Sequence, residues 1–400
     1  MSPAPATPSV AHLTPYPVPG AQSPGVPAYA AMLIPALAEA GVTRQAVVAQ
    51  ADPAAPGVAW AADGVPVLRR WSGGPRFALA PGSVTRTRPQ VCHAQHEVFL
   101  YGGPAGAALF APVVRRIGRR CATVVSVHGV ADLADVDAAF ARHNGSRLPP
   151  RAIRAALRHF IGSAATAGDL AIVHGDVFRD RLVDQYGIDP DRIRVVPLLV
   201  PSPRPRDRDR ERTRRGMNGP VALFFGFVTG YKDLPLLLEA WRGVRRRLPD
   251  ATLVVAGGRH PRLGGTPEYE RAYADLQRSA EDVGGIDWRG FVDDDEAAGY
   301  LAAADLMVLP YREALGASGP MGFALAYGLP VAVSRALGSL APDPGAVFAH
   351  DPDDAARVIA DALAPAANAR LRNASRRAAD AASLPSVARR TADVYREVCP

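Results

Sequence analysis

The chain is 400 residues long, 48% hydrophobic and 21% charged, with a formal net charge of +7. That length exceeds what one core comfortably fills and predicts two domains, and the composition excludes a disordered chain. Three distant cysteines (Cys92, Cys121, Cys399) argue against a disulfide framework and for a reducing compartment, and no run of about 18 apolar residues offers a membrane span.

Residues 1–9, "MSPAPATPS", read as a loose Pro-rich tail. "VAHLT" (10–14) predicts a strand, then a Gly/Pro-rich loop, "YPVPGAQSPGVPAYA" (16–30), and a helix ending near "LIPALAEAGV" (33–42). "QVCHAQ" (90–95), "ATVVSVH" (122–128), "DLAIVHG" (169–175) and "RIRVVPLLV" (192–200) predict further strands, with helices over 105–120 and 177–187. Near-continuous apolar strands alternating with helices imply a parallel sheet covered on both faces. Residues 201–219, with the sign-alternating run "RPRDRDRERTRR", read as a solvated linker. The alternation restarts with strands over 221–227, 251–257, 286–292, 305–311 and 330–334. Helices are predicted around 233–248, 268–283, 295–304 and 319–328, then 352–364 and 386–398. The expected class is α/β: two doubly wound domains, 10–200 and 220–384, facing across a cleft, and a terminal segment, 385–400.

Open α/β sheets bind ligands beyond the carboxyl ends of their strands. Lys232 is the only lysine among 46 basic residues, and it lies in a strand-to-helix turn, "FFGFVTGYKDLPLLLEAW" (224–241). A chain that uses arginine everywhere else keeps a compact point charge here, which suits an anion held at the sheet end. In "YREALGASGPMGFALAYGLPVAVS" (311–334), Pro320 suits a first helical turn, and Ser318 and Gly319 lie where donors project toward a phosphate. Gly25, in the first loop, lets backbone approach a ligand. The G-x-G-x-x-G fingerprint is absent, and no cofactor is expected. His96, His128 and His174 end neighbouring strands and suggest a polar cleft floor, although one such histidine alone is more often structural. No histidine or cysteine spacing supports a metal, and no G-x-S-x-G elbow supports a hydrolase. Without a basic stripe interleaved with aromatics, nucleic acid is not an expected partner. Arg151, Arg154 and Arg158 share one helix face; a solvated face is the plainer reading, and an anionic membrane or phosphate-bearing acceptor the alternative. The reading is of a cytoplasmic protein, with peripheral contact at the inner membrane face left open.

Taken together, these stretches resemble the GT-B glycosyltransferases, in particular the large retaining family numbered four. The resemblance covers nearly the whole chain, through "YPVPGAQSPGVPAYAAMLIPALAEAGV", "DRIRVVPLLV", "FFGFVTGYKDLPLLLEAW", "LPDATLVVAG" and the run from Phe291 to Ser334. It implies two Rossmann-like domains with the active site between them and a last helix crossing back to the first domain. It also implies transfer of a hexosyl unit from a nucleoside diphosphate sugar, UDP or GDP type, to a hydroxyl acceptor, with retention and without a catalytic metal. Carried over, Lys232 neutralises the donor diphosphate and His128 sits near the transferred sugar. Gly25, Thr229, Glu313, Ser318 and Gly319 fall on the donor side. His96 and Glu97, in "QHEVFLYGG", fall on the acceptor side. The family often carries arginine where Phe227 and Thr229 stand here. Counted without gaps from Gly328, its two glutamates fall on Leu315 and Phe323, with Glu313 out of register. Those departures keep a second reading open, a catalytically silent relative that binds a nucleotide sugar or a partner enzyme. A nucleotide-sugar epimerase is a third, for which the donor loop offers only Glu313.

Overall fold

A computed structural model describes residues 7–18, 25–52, 57–60, 64–98, 100–261 and 263–399. Most of the expected N-terminal tail and the middle of the first Gly/Pro-rich loop lie outside them. The first sheet has eight strands: β1 (Val10–Leu13), β2 (Gln45–Gln50), β3 (Gly57–Trp60), β4 (Pro66–Trp71), β5 (Val91–His96), β6 (Ala122–Val127), β7 (Leu170–Val173) and β8 (Ile193–Val195). Their spatial order is β3-β4-β2-β1-β5-β6-β7-β8, and all pair in parallel except the β3 edge. Helices α1 (Val26–Glu39), α2 (Ala80–Thr85), α3 (Gly103–Gly118), α4 (Ala138–His143), α5 (Pro150–Ala165) and α6 (Asp176–Asp184) connect them. From β1 the order runs one way to β2 and the other way from β5 to β8. Right-handed crossovers therefore put α1 on one face and α2, α3, α5 and α6 on the other. The two apolar cores divide in the same way.

The second half begins with α7 (Arg208–Arg214). Its sheet comprises β9 (Val221–Phe225), β10 (Thr252–Ala256), β11 (Ile286–Trp288), β12 (Leu306–Leu309), β13 (Val331–Ser334) and β14 (Val347–Phe348), in the order β11-β10-β9-β12-β13-β14 and all parallel. Its helices are α8 (Leu234–Arg247), α9 (Pro267–Val283), α10 (Asp294–Ala303), α11 (Gly319–Ala326), α12 (Pro352–Leu363) and α13 (Pro365–Ala381). The last helix, α14 (Leu384–Val398), packs on α1 in the first domain, where Val387, Ala392 and Tyr395 are fully buried. The α/β class with two Rossmann-like parallel sheets is thus as expected.

Several elements differ from the sequence reading. Strands β2, β3 and β4 were not expected: their apolar runs are short and flanked by glutamine or broken by arginine. The strand expected over 192–200 stops at Val195, because Pro197 has no N–H to give a ladder. The charged run at 204–215 is not a solvated linker. Asp207 caps α7 by accepting from the Arg210 N–H at 2.8 Å, Glu211 is buried against Arg215, and Arg212 Nη1 reaches Asp305 Oδ2 at 3.0 Å. Helix α13 has no broad apolar stripe; it buries Leu371, Ala374 and Ser375 and is otherwise held by Asn368, which donates to the Asp305 carbonyl at 2.9 Å, and by the Arg370–Asp343 ion pair.

Candidate active site at the seam between the two sheets

Beyond β9 the chain turns through Gly226 (φ +107°) into the single helical turn Gly230–Lys232. Lys232 is 6% exposed. Burial lowers its pKa to about 8, with no carboxylate opposing that shift. Its Nζ stands over Gly226, where an added Cβ would come within 2.8 Å of it, and 5.8 Å from the centre of the Tyr311 ring. A buried cation without a counter-charge is costly unless a ligand supplies one. The next residue, Asp233, holds a left-handed backbone (φ 46°), caps α8 and binds Arg312 Nη2 at 2.7 Å and His350. Arg312 also donates its backbone N–H to the Tyr231 carbonyl at 2.7 Å, so the lysine turn and the loop after β12 form one unit.

That loop carries the other donor-side candidates. Glu313 is 4% exposed; His143 Nδ1 lies 3.5 Å from its Oε1, while Oε2 has no partner among the described residues. Burial raises the Glu313 pKa, and His143 opposes the shift. Ser318 is committed to the fold: its Oγ accepts from the Met321 N–H at 3.3 Å as the α11 cap and lies 3.3 Å from the Tyr311 hydroxyl. The Ser318 lone pair serves the helix, while the hydroxyl proton is still available for donation. Among the described residues an added Cβ at Gly319 or Gly25 would meet nothing within 4 Å, so neither backbone is covered by them. Thr229 is 9% exposed in the turn before the lysine.

His128 follows β6 directly and is half-buried, with both ring nitrogens engaged inside the fold. His174 Nδ1 lies 3.0 Å from the Val196 carbonyl, which can only accept, so that nitrogen carries the proton and Nε2 accepts. His128 Nδ1, 3.1 Å away, then donates, leaving Nε2 as an acceptor when the ring is neutral. Burial favours neutral rings, lowering His174 to about 4 and His128 well below the usual imidazole value. The Gln95 carboxamide, 2.7 Å from His128 Nε2 and 3.1 Å from His93 Nε2, serves both neighbours with its NH₂ on the His128 side. His93 extends the chain to Tyr395 on α14 at 2.7 Å. Replacing Gln95 with Leu strands His128 Nε2. The expected loss is about 1–3 kcal/mol of unfolding free energy in a urea titration. An unchanged midpoint would mean the amide does not hold the chain together.

His96 does not reach the cleft. It is 1% exposed, packs 4.6 Å from Phe110, and has neither ring nitrogen paired among the described residues; burial lowers its pKa to about 3. Its neighbour Glu97 is exposed, and its charge acts on Tyr231 of the other domain.

The two sheets meet at this point. Gly129 and Gly316 form an antiparallel bridge, the Val130 N–H donates to the Leu315 carbonyl at 2.8 Å, and Arg181 Nη1 donates to the Ala314 carbonyl at 2.7 Å. Leu315 packs on the cluster of Val136, Phe140 and Ile153 in the first domain. His143 covers Gly230, one turn before the lysine. Phe323 is 40% exposed and lies edge-on to Phe225 at 5.9 Å, while Phe227 faces His260 at the same separation. The sequence reading missed Arg181, His143, the Asp233–Arg312–His350 set and Gln95, because none lies in a spacing that signals chemistry. Among the described residues no cluster could hold a metal ion.

Two family descriptions match the chain: "Glycosyltransferase Family 4" over residues 24–204 and "Glycosyl transferases group 1" over 219–365. Sucrose-phosphate synthase from Thermosynechococcus elongatus is similar in structure, with TM-score 0.75 and 18% identity over 97% of this chain and 98% of that one. HepE of Anabaena in complex with UDP-glucose gives 0.70 and 16% over 98% and 100%. The UDP-forming trehalose-phosphate synthase of Burkholderia vietnamiensis gives 0.68 and 12% over 98% and 99%. No curated protein is significantly similar in sequence.

Proposed function

The chain belongs to the group 1 glycosyltransferases of GT-B fold, and from that premise we propose that it is a retaining hexosyltransferase using a UDP- or GDP-type sugar donor and a hydroxyl acceptor. The observation that carries this reading is Lys232, a buried ammonium with no carboxylate partner among the described residues, at the seam where the two sheets meet. As the glycosidic bond breaks, charge grows on the departing diphosphate. A preorganised cation aimed at that charge acts only where it is needed, and in comparable sites is worth roughly 3 kcal/mol. Gly25 and Gly319 would let backbone close on the phosphates, with Thr229 and the free oxygen of Glu313 beside them. No described side chain is placed as a covalent nucleophile. The acceptor hydroxyl therefore attacks from the leaving-group face, its oxygen forms the new bond to the anomeric carbon, and its proton passes to the departing phosphate. The solved complexes of HepE with UDP and UDP-glucose favour a UDP-type donor. His128 holds the floor through its ring edge and main chain, since its nitrogens are occupied. Incubating the protein with UDP-glucose, GDP-mannose and a panel of sugar and lipid-linked hydroxyl acceptors, and measuring nucleotide release, tests this reading.

The silent-relative reading draws on Leu315, Phe323 and Phe227, which place apolar groups where polar donor contacts are usual in the family. Phe323 offers ribose no acceptor, and losing a charged hydrogen bond costs about 1.5–3 kcal/mol. The nucleoside half is therefore held weakly and the diphosphate half well. Calorimetry is expected to give UDP at least about tenfold tighter than uridine. Equal affinities would remove the phosphate-centred site.

A further inference from the structure

We propose that the outer face of the first domain, built from α2, α3 and α5, docks on an anionic phospholipid surface. Residues 75–165 hold twelve arginines against four carboxylates, a local excess larger than the net +7 of the whole chain. All twelve arginines are exposed. Among the described residues none of them forms a close ion pair with a carboxylate; Arg142 acts on Asp137 at longer range. Elsewhere exposed arginines pair repeatedly, as Arg259 does with Glu270, Arg289 with Asp287 and Arg370 with Asp343. The four carboxylates are engaged away from this face. Glu97 acts on Tyr231 and Asp135 on Glu313 across the seam, Asp132 meets Arg181, and Asp137 caps α4. The charge of the arginines on and beside α2, α3 and α5 is therefore left to solvent, while Arg142 on α4 and Arg154, which donates to the Val136 carbonyl, lie toward the seam.

Two further features select a bilayer over other polyanions. Leu79, just before α2, and Leu148, just before α5, are 71% and 57% exposed, among the most exposed large apolar side chains described. Leucines set among arginines match the boundary between headgroups and acyl chains. Between α2 and the end of α3 lies a cavity of about 270 Å³ lined by Arg88, Arg120, Thr85, Pro89 and Cys121. Its two guanidinium groups suit a headgroup phosphate. Among the described residues of this face no Phe, Tyr or Trp is fully exposed for nucleic-acid bases to stack on: Phe160 on α5 is half-buried beside His159, and the exposed Phe291 and Phe323 lie in the other domain. No described helix is long and apolar enough to cross a membrane, so the contact is peripheral.

The proposal is independent of the transfer reaction. Sedimentation of the full chain with sucrose-loaded vesicles tests it, using phosphatidylcholine alone and phosphatidylcholine with about 30% phosphatidylglycerol. Binding is expected only with phosphatidylglycerol, with release at about 0.5 M salt. The Arg116→Glu/Arg119→Glu double variant is expected to bind about thirtyfold more weakly. Leu79→Ser/Leu148→Ser is expected to weaken binding while keeping the salt dependence. UDP affinity and circular dichroism should stay unchanged in both variants, which separates a lost surface from a lost fold. Equal binding to the neutral vesicles, full binding by the charge-reversal variant, or displacement from the vesicles by a DNA duplex that binds more tightly would overturn the proposal.

Discussion

Lys232→Met is expected to lower turnover by about two to three orders of magnitude and, at the same time, to raise the melting temperature. The first effect follows from removing the cation that meets the departing diphosphate. The second follows from the energetics of the unliganded protein. Lys232 is almost wholly buried, and burial holds its pKa at about 8, below the 10.5 of an unperturbed lysine. At pH 7 that difference corresponds to a penalty of about 3 kcal/mol for the charged side chain in the fold. Methionine has a similar volume and no charge, so it keeps the packing against Tyr311 and removes the penalty. Lys232→Arg should also fail, because the space over Gly226 that admits a compact ammonium leaves none for a planar guanidinium. A methionine variant that turned over normally, or that melted well below the wild type, would undo the assignment of this residue as a ligand-directed charge.

The pH dependence follows with a definite sign. The folded-state pKa lies below the unfolded one, so between about 8 and 10.5 the unfolded chain binds more protons. The destabilisation is complete below pH 8 and fades as pH rises toward 10.5. Activity runs the other way. The protonated lysine is the useful form, so kcat/KM, which reports the free enzyme, should fall above about pH 8. A bound diphosphate supplies the missing counter-charge and raises the lysine pKa, so kcat should hold to higher pH. A kcat/KM flat through pH 9 would exclude Lys232 as the titrating group.

Much of this was legible in the sequence, and the rest was hidden for physical reasons. Long apolar strands such as "ATVVSVH" announce a parallel sheet because both faces are buried, and the lone lysine stands out against a background of arginine. Helices α7 and α13 were hidden because their stability lies in ion pairs and alanine packing rather than in a broad apolar stripe. The histidines show the limit on the site. His96 and His128 end adjacent strands, yet one is sealed in the core and the other reaches the seam with its nitrogens already paired. Strand-end position is written in the sequence, whereas hydrogen-bond partners come from the tertiary arrangement: His128 meets Gln95 from the neighbouring strand, and His93 meets Tyr395, 302 residues further along the chain. Leu315 is the clearest example of a missing carboxylate with a structural reason. Its partly buried side chain packs on Val136, Phe140 and Ile153 of the first domain, an apolar cluster that suits leucine rather than a charge.

Gly316→Ala is expected to raise the donor KM at least about tenfold and to lower kcat, with a small loss of stability of roughly 1–3 kcal/mol. The backbone of Gly316 is not in the left-handed region, so alanine carries no conformational penalty of its own. The conflict is steric. An added Cβ would stand 2.2 Å from the His128 carbonyl oxygen, a main-chain atom that cannot swing aside. The contact cannot relax locally, because the Val130–Leu315 hydrogen bond and the Arg181 grip on the Ala314 carbonyl hold the same loop. What can yield is the seam itself. The donor loop must retreat from the first domain, taking Glu313 away from His143 and loosening the cover that His143 gives to the turn before Lys232. Gly129→Ala provides the control on the other side of the same bridge. There an added Cβ would meet the Leu315 carbonyl at 3.2 Å, a gap that a shift of a few tenths of an ångström relieves. The alanine at 316 should therefore damage donor binding far more than the alanine at 129. Small-angle scattering should also show the 316 variant slightly expanded. If both variants kept wild-type KM and kcat, the close approach of His128 and Gly316 would be packing alone, and the reacting centre would have to lie elsewhere along the seam.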